Sequence, residues 1–306
     1  MAPVSRSTVE TSKPQAGAIQ GFRQTPFVSA ILIAPALALF FIFVLWPIAA
    51  SLFLSLYEWD GIGRKAFVGF GNYRELAEDP VFHTAFVNSL LWVAAFLLAP
   101  PLGLALAIFL KQPVAGAGLW RSLFFLPFVV SQAAVGVIFG WFFNVRFGLL
   151  AGAFRGLGLE PVPLLEDERY ATFTVIAAGL WPQIAYCMVI YMAGLATIED
   201  EQIEAARLDG AHGWTLFRHI VAPQLKPATL IAVLVSVVGA LRSFDLVSVM
   251  TNGGPYNAST VLPYYMYEQT FFSFRYGYGA AVASVLFLLM NACIAAFLLS
   301  AFRRRA

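Results

Sequence analysis

Six runs of about 20 or more apolar residues dominate this 306-residue chain. A helix needs about 20 such residues to cross about 30 Å of hydrocarbon, so each run is long enough to span a membrane. Only 12% of the residues are charged, about half the usual share in soluble domains. The sequence therefore predicts an all-α membrane protein with six transmembrane helices, at about residues 28–56, 84–110, 120–143, 172–196, 228–250 and 279–302.

The charges outside these runs predict the orientation. Six spans place both termini on one side of the membrane, and the Lys and Arg residues favour the cytoplasm for that side. With this orientation the cytoplasmic segments hold eleven basic residues and the opposite side holds seven. We therefore predict cytoplasmic termini, a disordered tail at 1–26 and a transmembrane domain at 27–303.

Residues 197–226 form a cytoplasmic connection that is longer than a simple turn between two spans requires. Acidic residues at its start and Gly210 farther on predict a short helix that ends in the left-handed conformation. Trp214, Phe217 and Ile220 then recur at helical spacing, and proline ends this second helix. The periodicity fits equally well an amphipathic helix that lies on the membrane surface.

A spacing pattern in this connection resembles a known family. Glu204, Ala205 and Ala206, followed by Gly210, Ile220 and Pro223, resemble the EAA loop of permeases of ATP-binding-cassette (ABC) importers. One departure is Ala222, where the family usually has Leu. The segments FVGFGNYRELAEDPVF, LFFLPFVVSQAAVGVIFGWFFN and TNGGPYNASTVLPYYMYEQTF are similar to the carbohydrate-uptake, maltose-type branch in its six-span form.

The resemblance implies a type I ABC importer permease fold in the inner membrane of a bacterium. It implies that the EAA loop at 197–226 docks on an ATPase subunit and passes its motion to the spans. The coupling residues that it indicates are Glu204, Ala205, Ala206, Asp209, Gly210, Ile220 and Pro223. The implied partners are a second, homologous permease that forms a heterodimer with this chain, two ATPase subunits and an extracytoplasmic solute-binding protein.

The sequence also limits the chemistry of the chain itself. It contains no G-x-x-x-x-G-K-[S/T] phosphate loop, so ATP and Mg²⁺ are expected on the partner ATPase. Its three histidines are not spaced as a metal site, and no cofactor or nucleic-acid partner is expected. We predict that the chain is a transport subunit and not an enzyme.

Charged groups inside a membrane span are costly, and Arg242 is therefore a functional candidate. Its alternative role is an ion pair with Asp245, three residues farther along the same helix face. The resemblance adds Gln183 and Tyr186 in the fourth span, and Ser243 in the fifth, as residues of the substrate pathway. For Tyr186, packing between helices is an equal alternative.

The sequence thus predicts the permease subunit of an ATP-driven importer that moves a sugar or sugar derivative by alternating access. The alternative is a secondary, ion-coupled sugar transporter without an ATPase partner. In such a transporter we expect inverted repeats and charged relays within the spans. Here Arg242 and Asp245 are almost the only charges inside the spans. The identity of the sugar, and whether it is anionic, stays open.

Overall fold

The computed structural model describes residues 26–112 and 116–303, and most of them are helical. The predicted tail at 1–26 lies outside the described residues except for Pro26, which begins the first helix. Two short strands, β1 (Tyr57–Glu58) and β2 (Ala66–Phe67), pair antiparallel. The helices are α1 (Pro26–Phe40), α2 (Trp46–Leu54), α3 (Gly71–Glu78), α4 (Pro80–Phe96), α5 (Ala99–Lys111), α6 (Ala117–Val129), α7 (Gln132–Phe142), α8 (Leu149–Gly156), α9 (Ala171–Ala196), α10 (Asp200–Leu208), α11 (Gly213–Leu216), α12 (Ala222–Gln224), α13 (Lys226–Leu241), α14 (Phe244–Met250), α15 (Leu262–Tyr267) and α16 (Tyr276–Arg303).

Residues 26–50 belong to one compact unit, and the described residues from Ser51 onward belong to another. Within the first unit, α1 leads into a π-helical turn at Phe41–Leu45, where the Trp46 N–H bonds to the carbonyl of Phe41. Pro47 follows this turn. Because proline donates no N–H and its ring crowds the carbonyl four residues back, the wider turn relieves the local clash.

Four helical segments of the described residues are long and apolar enough to cross a membrane without a sharp bend. They are Leu32–Leu54, Pro80–Lys111, Ala171–Ala196 and Tyr276–Leu299. The second segment combines α4 and α5. These four agree in position with the first, second, fourth and sixth predicted spans, whereas the third and fifth predicted spans are interrupted.

The third predicted span, 120–143, is broken between α6 and α7, and the two helices meet at 103°. The break follows from two residues. Pro127 lies in the last turn of α6 and donates no N–H to that turn. The hydroxyl of Ser131 accepts a hydrogen bond of 3.3 Å from the N–H of Ala134 and so caps the start of α7.

The fifth predicted span, 228–250, is interrupted between α13 and α14. The hydroxyl of Ser243 donates a 2.7 Å hydrogen bond to the carbonyl of Ala240. In a continuous helix the N–H of Phe244 would bond to that carbonyl, but here it bonds to the carbonyl of Arg242 at 2.8 Å. The carbonyl of Ala240 accepts instead from the backbone N–H of Ser243, at 3.3 Å, and from the Ser243 hydroxyl. The side chain therefore takes the place of the helical hydrogen bond, and the chain turns before α14 begins.

The long helix α9 lies at the centre of the second unit and packs against α4, α5, α6 and α13. The contact with α5 depends on Gly103, because a Cβ atom at this position would lie 2.6 Å from the Cβ of Cys187. No side chain fits in that space. Met188 and Tyr191 are almost fully buried nearby, so burial of apolar surface along this contact stabilises the pair.

Hydrogen bonds tie the ends of the helices together. At one end, which we call the first end, Asn88 Nδ2 donates to the carbonyls of Ala258 and Thr260 at 2.7 and 2.9 Å. At the opposite, second end, Lys111 Nζ donates to the carbonyl of Leu195 at 3.1 Å. The segment from α10 to α12 lies between the second end of α9 and the start of α13.

Candidate functional site

The residues predicted for the substrate pathway surround one cavity of about 290 Å³. Gln183 and Tyr186 come from α9, Arg242 and Ser243 from the turn after α13, and Asp245 from α14. The interruption of the fifth predicted span therefore has a consequence, because it opens the helix beside the cavity. The remaining lining residues are Phe96, Gln132, Val235, Val238, Gly239 and Leu246.

Arg242 and Asp245 are both exposed on this cavity. In the part of the chain that the structure describes, the ion pairs are Arg169 with Asp167 and Arg275 with Glu75. The predicted alternative, an ion pair between Arg242 and Asp245, is therefore wrong for this structure. The turn at Arg242 and Ser243 separates the two residues, so they do not share one helix face.

Arg242 is the C-cap residue of α13 and directly follows its last residue, Leu241. A cation is favoured at this end of a helix dipole. The guanidinium can donate up to five hydrogen bonds and can bind a carboxylate, sulfonate or phosphate bidentately. The cavity therefore offers a strong donor at Arg242 and an acceptor at Asp245 a few residues away.

Gln183 is buried in the wall of the cavity, with 7% of its surface exposed. Its Nε2 lies 3.0 Å from Ser236 Oγ on α13. A Cβ atom at Gly239, one helical turn along α13, would lie 3.1 Å from Gln183 Oε1. The absence of a side chain at Gly239 thus leaves space for the amide.

The ring of Tyr186 stacks on Phe128 of α6, with centroids 5.0 Å apart and planes inclined by 8°. Packing between helices is one of the two roles that the sequence predicted for Tyr186. The residue is only half-buried and also lines the cavity. A role in sugar contact remains a prediction. Pro182 precedes Gln183 within α9, and the helix continues through it from Ala171 to Ala196.

The predicted coupling residues lie on α10 and on the segment after it. Glu204 and Ala205 are exposed on α10, whereas Ala206 is buried. Ile220 lies in a π-helical turn at Phe217–Val221, and Pro223 lies in α12. Asp209 and Gly210 form the turn that follows α10.

Gly210 ends α10 with φ of +87°, as the sequence predicted. The N–H of Ala211 bonds to the carbonyl of Ala206 at 2.9 Å, and the N–H of Gly210 bonds to the carbonyl of Arg207 at 3.0 Å. These two bonds define a Schellman motif, which satisfies the last carbonyl groups of the helix. A left-handed residue is required at its centre, and glycine adopts that conformation without steric cost.

A second cavity of about 630 Å³ lies between α10 and the helix ends around it. Glu204 and Arg207 of α10 line it together with Lys111 of α5 and Phe217. Acidic, basic and aromatic groups thus surround one cleft at the second end. Of the described residues, none forms a group of three His, Cys, Asp or Glu that could hold a metal ion.

The sequence did not predict Gly239 or Gln132 as residues that line the cavity, nor Ser236 as the hydrogen-bond partner of Gln183. Ser236, Gly239 and Ser243 recur at three- and four-residue spacing, which places them on one face of α13 and the turn after it. This face of small residues is the sequence pattern from which Ser236 and Gly239 could have been predicted. Gln132 gave no such signal, because it becomes part of the cavity only through the sharp bend before α7.

Apolar helices of membrane-spanning length beside polar cavities are typical of membrane transport proteins. Residues 23–305 match the family model described as binding-protein-dependent transport system inner membrane component. The chain belongs to this family. The family consists of transport subunits of the inner membrane, which confirms the resemblance to ABC importer permeases predicted from the sequence.

Individual relatives agree with this assignment. The chain is 37% identical to a probable ABC transporter permease protein of Pyrococcus horikoshii, over 86% of this chain and 91% of the relative. It is 36% identical to the lactose transport system permease protein of Rhizobium radiobacter, over 85% of this chain and 89% of the relative. The fold is similar to a chain in the crystal structure of a bacterial ABC transporter for import of the acidic polysaccharide alginate. That match has a TM-score of 0.79 at 18% identity and covers 92% of this chain and 96% of the other.

Proposed function

We propose that this chain is the permease subunit of an ATP-driven importer that carries a sugar or sugar derivative into the cytoplasm by alternating access. In this proposal the coupling segment from α10 to α12 and both termini face the cytoplasm. The chain works with a second, homologous permease, two ATPase subunits that bind ATP and Mg²⁺, and an extracytoplasmic solute-binding protein. Membership of a binding-protein-dependent family supports these partners.

One observation carries the proposal: the helices on either side of the coupling segment both line the cavity. Gln183 and Tyr186 lie in α9, which ends at Ala196 shortly before α10 begins. Arg242 is the C-cap residue of α13, the helix that follows the coupling segment. Gln183 lies about 20 Å from Ala196 at 1.5 Å per residue. From the coupling segment to the cavity, α9 and α13 are each unbroken, so a displacement of α10 that moves the end of either helix also moves the wall of the cavity.

The surface of α10 suits a docking partner. Ala205 is exposed and small, so another backbone can approach the helix closely, and the neighbouring Glu204 supplies a charge. Because Ala206 is buried against the rest of the chain, α10 is anchored on one side and free on the other. A rigid helix held in this way transmits motion better than a flexible loop does.

The polar groups of the cavity suit a hydroxylated cargo. Arg242 donates hydrogen bonds, Asp245 accepts them, and the two are not paired with each other. Tyr186 presents part of an aromatic ring, which packs on the apolar face of a sugar ring. The similarity to a lactose permease supports a sugar as cargo.

Copurification tests the partnership. An affinity-tagged chain, extracted from its native membrane in mild detergent, is expected to retain an ATPase subunit and to hydrolyse ATP. Ala205→Arg should reduce the retained ATPase, because a long charged side chain blocks close approach to α10. Ala77→Arg is the matched control, since Ala77 is an exposed alanine of α3 far along the chain. Purification of the wild-type chain without an ATPase would contradict the proposal.

A further inference from the structure

The hydrogen bonds of Ser236 determine the orientation of the Gln183 amide. Ser236 is fully buried, and its hydroxyl donates a 2.8 Å hydrogen bond to the carbonyl of Ala232. A hydroxyl has one hydrogen to donate and two lone pairs that accept. With its hydrogen engaged, Ser236 Oγ can only accept from the amide of Gln183, 3.0 Å away. The atom that faces Ser236 is therefore the amide nitrogen Nε2 and not the oxygen Oε1.

The opposite side of the amide is left open. Nε2 also lies 3.9 Å from the sulfur of Cys187, which can accept its second hydrogen. Gln183 Oε1 lies beside Gly239, where a Cβ atom would be only 3.1 Å away, and both residues line the cavity. Among the described residues, Oε1 accepts no hydrogen bond, whereas both hydrogens of Nε2 are directed into the protein.

We infer that Ser236 is a positioning residue, which fixes Gln183 so that its carbonyl oxygen faces the cavity as a hydrogen-bond acceptor. This inference rests on the proposed function of the cavity as the sugar pathway. A cargo must then place a donor, such as a sugar hydroxyl, at Gln183. A sulfonate or carboxylate oxygen carries no hydrogen at neutral pH, and a phosphate monoester is mostly deprotonated there, so an anionic group is a poor donor for this position.

The cavity consequently binds two different groups of a cargo, a hydrogen-bond donor at Gln183 and an acceptor at Arg242. Gln183 accepts from a hydroxyl on the α9 side, and Arg242 donates to oxygen atoms on the α13 side. An anionic group, if the cargo has one, fits only at Arg242. Loss of Ser236 leaves the amide free to rotate, and it then presents Nε2 and Oε1 to the cavity in turn.

The test uses the complete transporter in proteoliposomes with ATP inside, and lactose and sn-glycerol 3-phosphate as probes, since both carry hydroxyl groups. Ser236→Ala is expected to raise KM for the transported probe by about three- to tenfold, the effect of one hydrogen bond, with little change in maximal rate. Gln183→Ala should have a similar effect. The double variant should be no worse than Gln183→Ala, because Ser236 acts only through that residue.

Ser284→Ala is the matched control. Ser284 is also buried, and its hydroxyl donates the same 2.8 Å bond to the carbonyl four residues back, Ala280. It has no part in the cavity, so KM should stay unchanged. If the effects of Ser236→Ala and Gln183→Ala multiply instead, the positioning role is wrong.

A second measurement does not depend on the cargo. Cryo-electron microscopy of the complete complex in nanodiscs is expected to show the Gln183 side chain displaced in Ser236→Ala and unmoved in Ser284→Ala. An unmoved Gln183 in Ser236→Ala overturns the inference. If neither probe is taken up by the wild-type complex with ATP, the proposed function fails for these two probes, and the position of Gln183 in the two maps still decides the role of Ser236.

Discussion

Tyr278 donates a hydrogen bond of 2.6 Å to Asp79 Oδ2, which joins the start of α16 to the start of α4 across 199 positions of the sequence. Tyr265 of α15 donates to the same oxygen. The other carboxylate oxygen, Oδ1, accepts from the N–H of Val81 at 2.8 Å and so caps α4. One carboxylate thus connects three helices at the first end.

Replacement of this carboxylate should destabilise the protein without touching the cavity. We expect Asp79→Asn to lower the free energy of unfolding by about 1–2 kcal/mol, because an asparagine amide has only one acceptor oxygen and cannot accept both from the N–H of Val81 and from the two tyrosine hydroxyls. Thermal unfolding of the detergent-purified protein measures this. Glu78→Gln is the control, since Glu78 is the exposed acidic neighbour. Equal stability of Asp79→Asn and the control would contradict the prediction.

The same contact predicts a dependence on pH. Partial burial by itself raises the pKa of Asp79, but hydrogen bonds from Tyr265, Tyr278 and the backbone outweigh it and lower the pKa below the ordinary 3.8. A depressed pKa stabilises the folded state above the unfolded pKa, and this contribution is lost as the pH falls through the folded pKa. The stability difference between wild type and Asp79→Asn should therefore be constant near neutral pH and shrink below about pH 4. A difference that grows on acidification would contradict this sign.

Gly210 should be required for coupling and not for insertion. A Cβ atom at Gly210 meets nothing within 4 Å, so substitution strains only the backbone, whose φ is +87°. Gly210→Val is expected to abolish most uptake because a β-branched residue resists this conformation by more than about 1 kcal/mol. Gly210→Asn is the matched control, since asparagine tolerates it. The measurement is uptake per unit of membrane-inserted protein, and equal uptake by the valine variant would rule out a role for this turn.

Arg242 should contribute most to an anionic cargo. The residue has no carboxylate partner at Asp245 and faces the cavity, so its guanidinium is available to a ligand. In Arg242→Gln we expect uptake of sn-glycerol 3-phosphate to fall by at least about tenfold more than uptake of lactose, the difference between a charge-assisted and a neutral hydrogen bond. Equal losses for both probes would remove the case for anion binding at this residue.

The positions of the long apolar helices could be predicted from the sequence, but their interruptions could not. Hydropathy averages over about 19 residues, and Ser131 and Ser243 hardly change such an average. Each nevertheless has a hydroxyl that bonds to the backbone at a helix end: Ser131 accepts from the N–H of Ala134, and Ser243 donates to the carbonyl of Ala240. The helix therefore ends where one side chain competes with the backbone, which is a local property that a window of hydropathy does not record.

Some of the residues that line the cavity were predicted from the sequence, and the reason differs from one residue to the next. Arg242 followed from the cost of a charge within an apolar run, and Gln183 followed from the resemblance to a family. Ser236 was missed because a serine within an apolar helix usually bonds only to its own backbone. Its second contact, with Gln183, depends on the packing of α13 against α9, and no pattern within either helix reveals it.

The most direct test of the account is uptake of labelled lactose and sn-glycerol 3-phosphate by proteoliposomes that contain the complete complex and its solute-binding protein. We predict uptake of at least one probe when ATP and Mg²⁺ are on the side of the ATPase subunits, and none when ATP is replaced by a non-hydrolysable analogue. A proton or sodium gradient alone should have no effect. Uptake driven by such a gradient without ATP would contradict the account and favour an ion-coupled transporter.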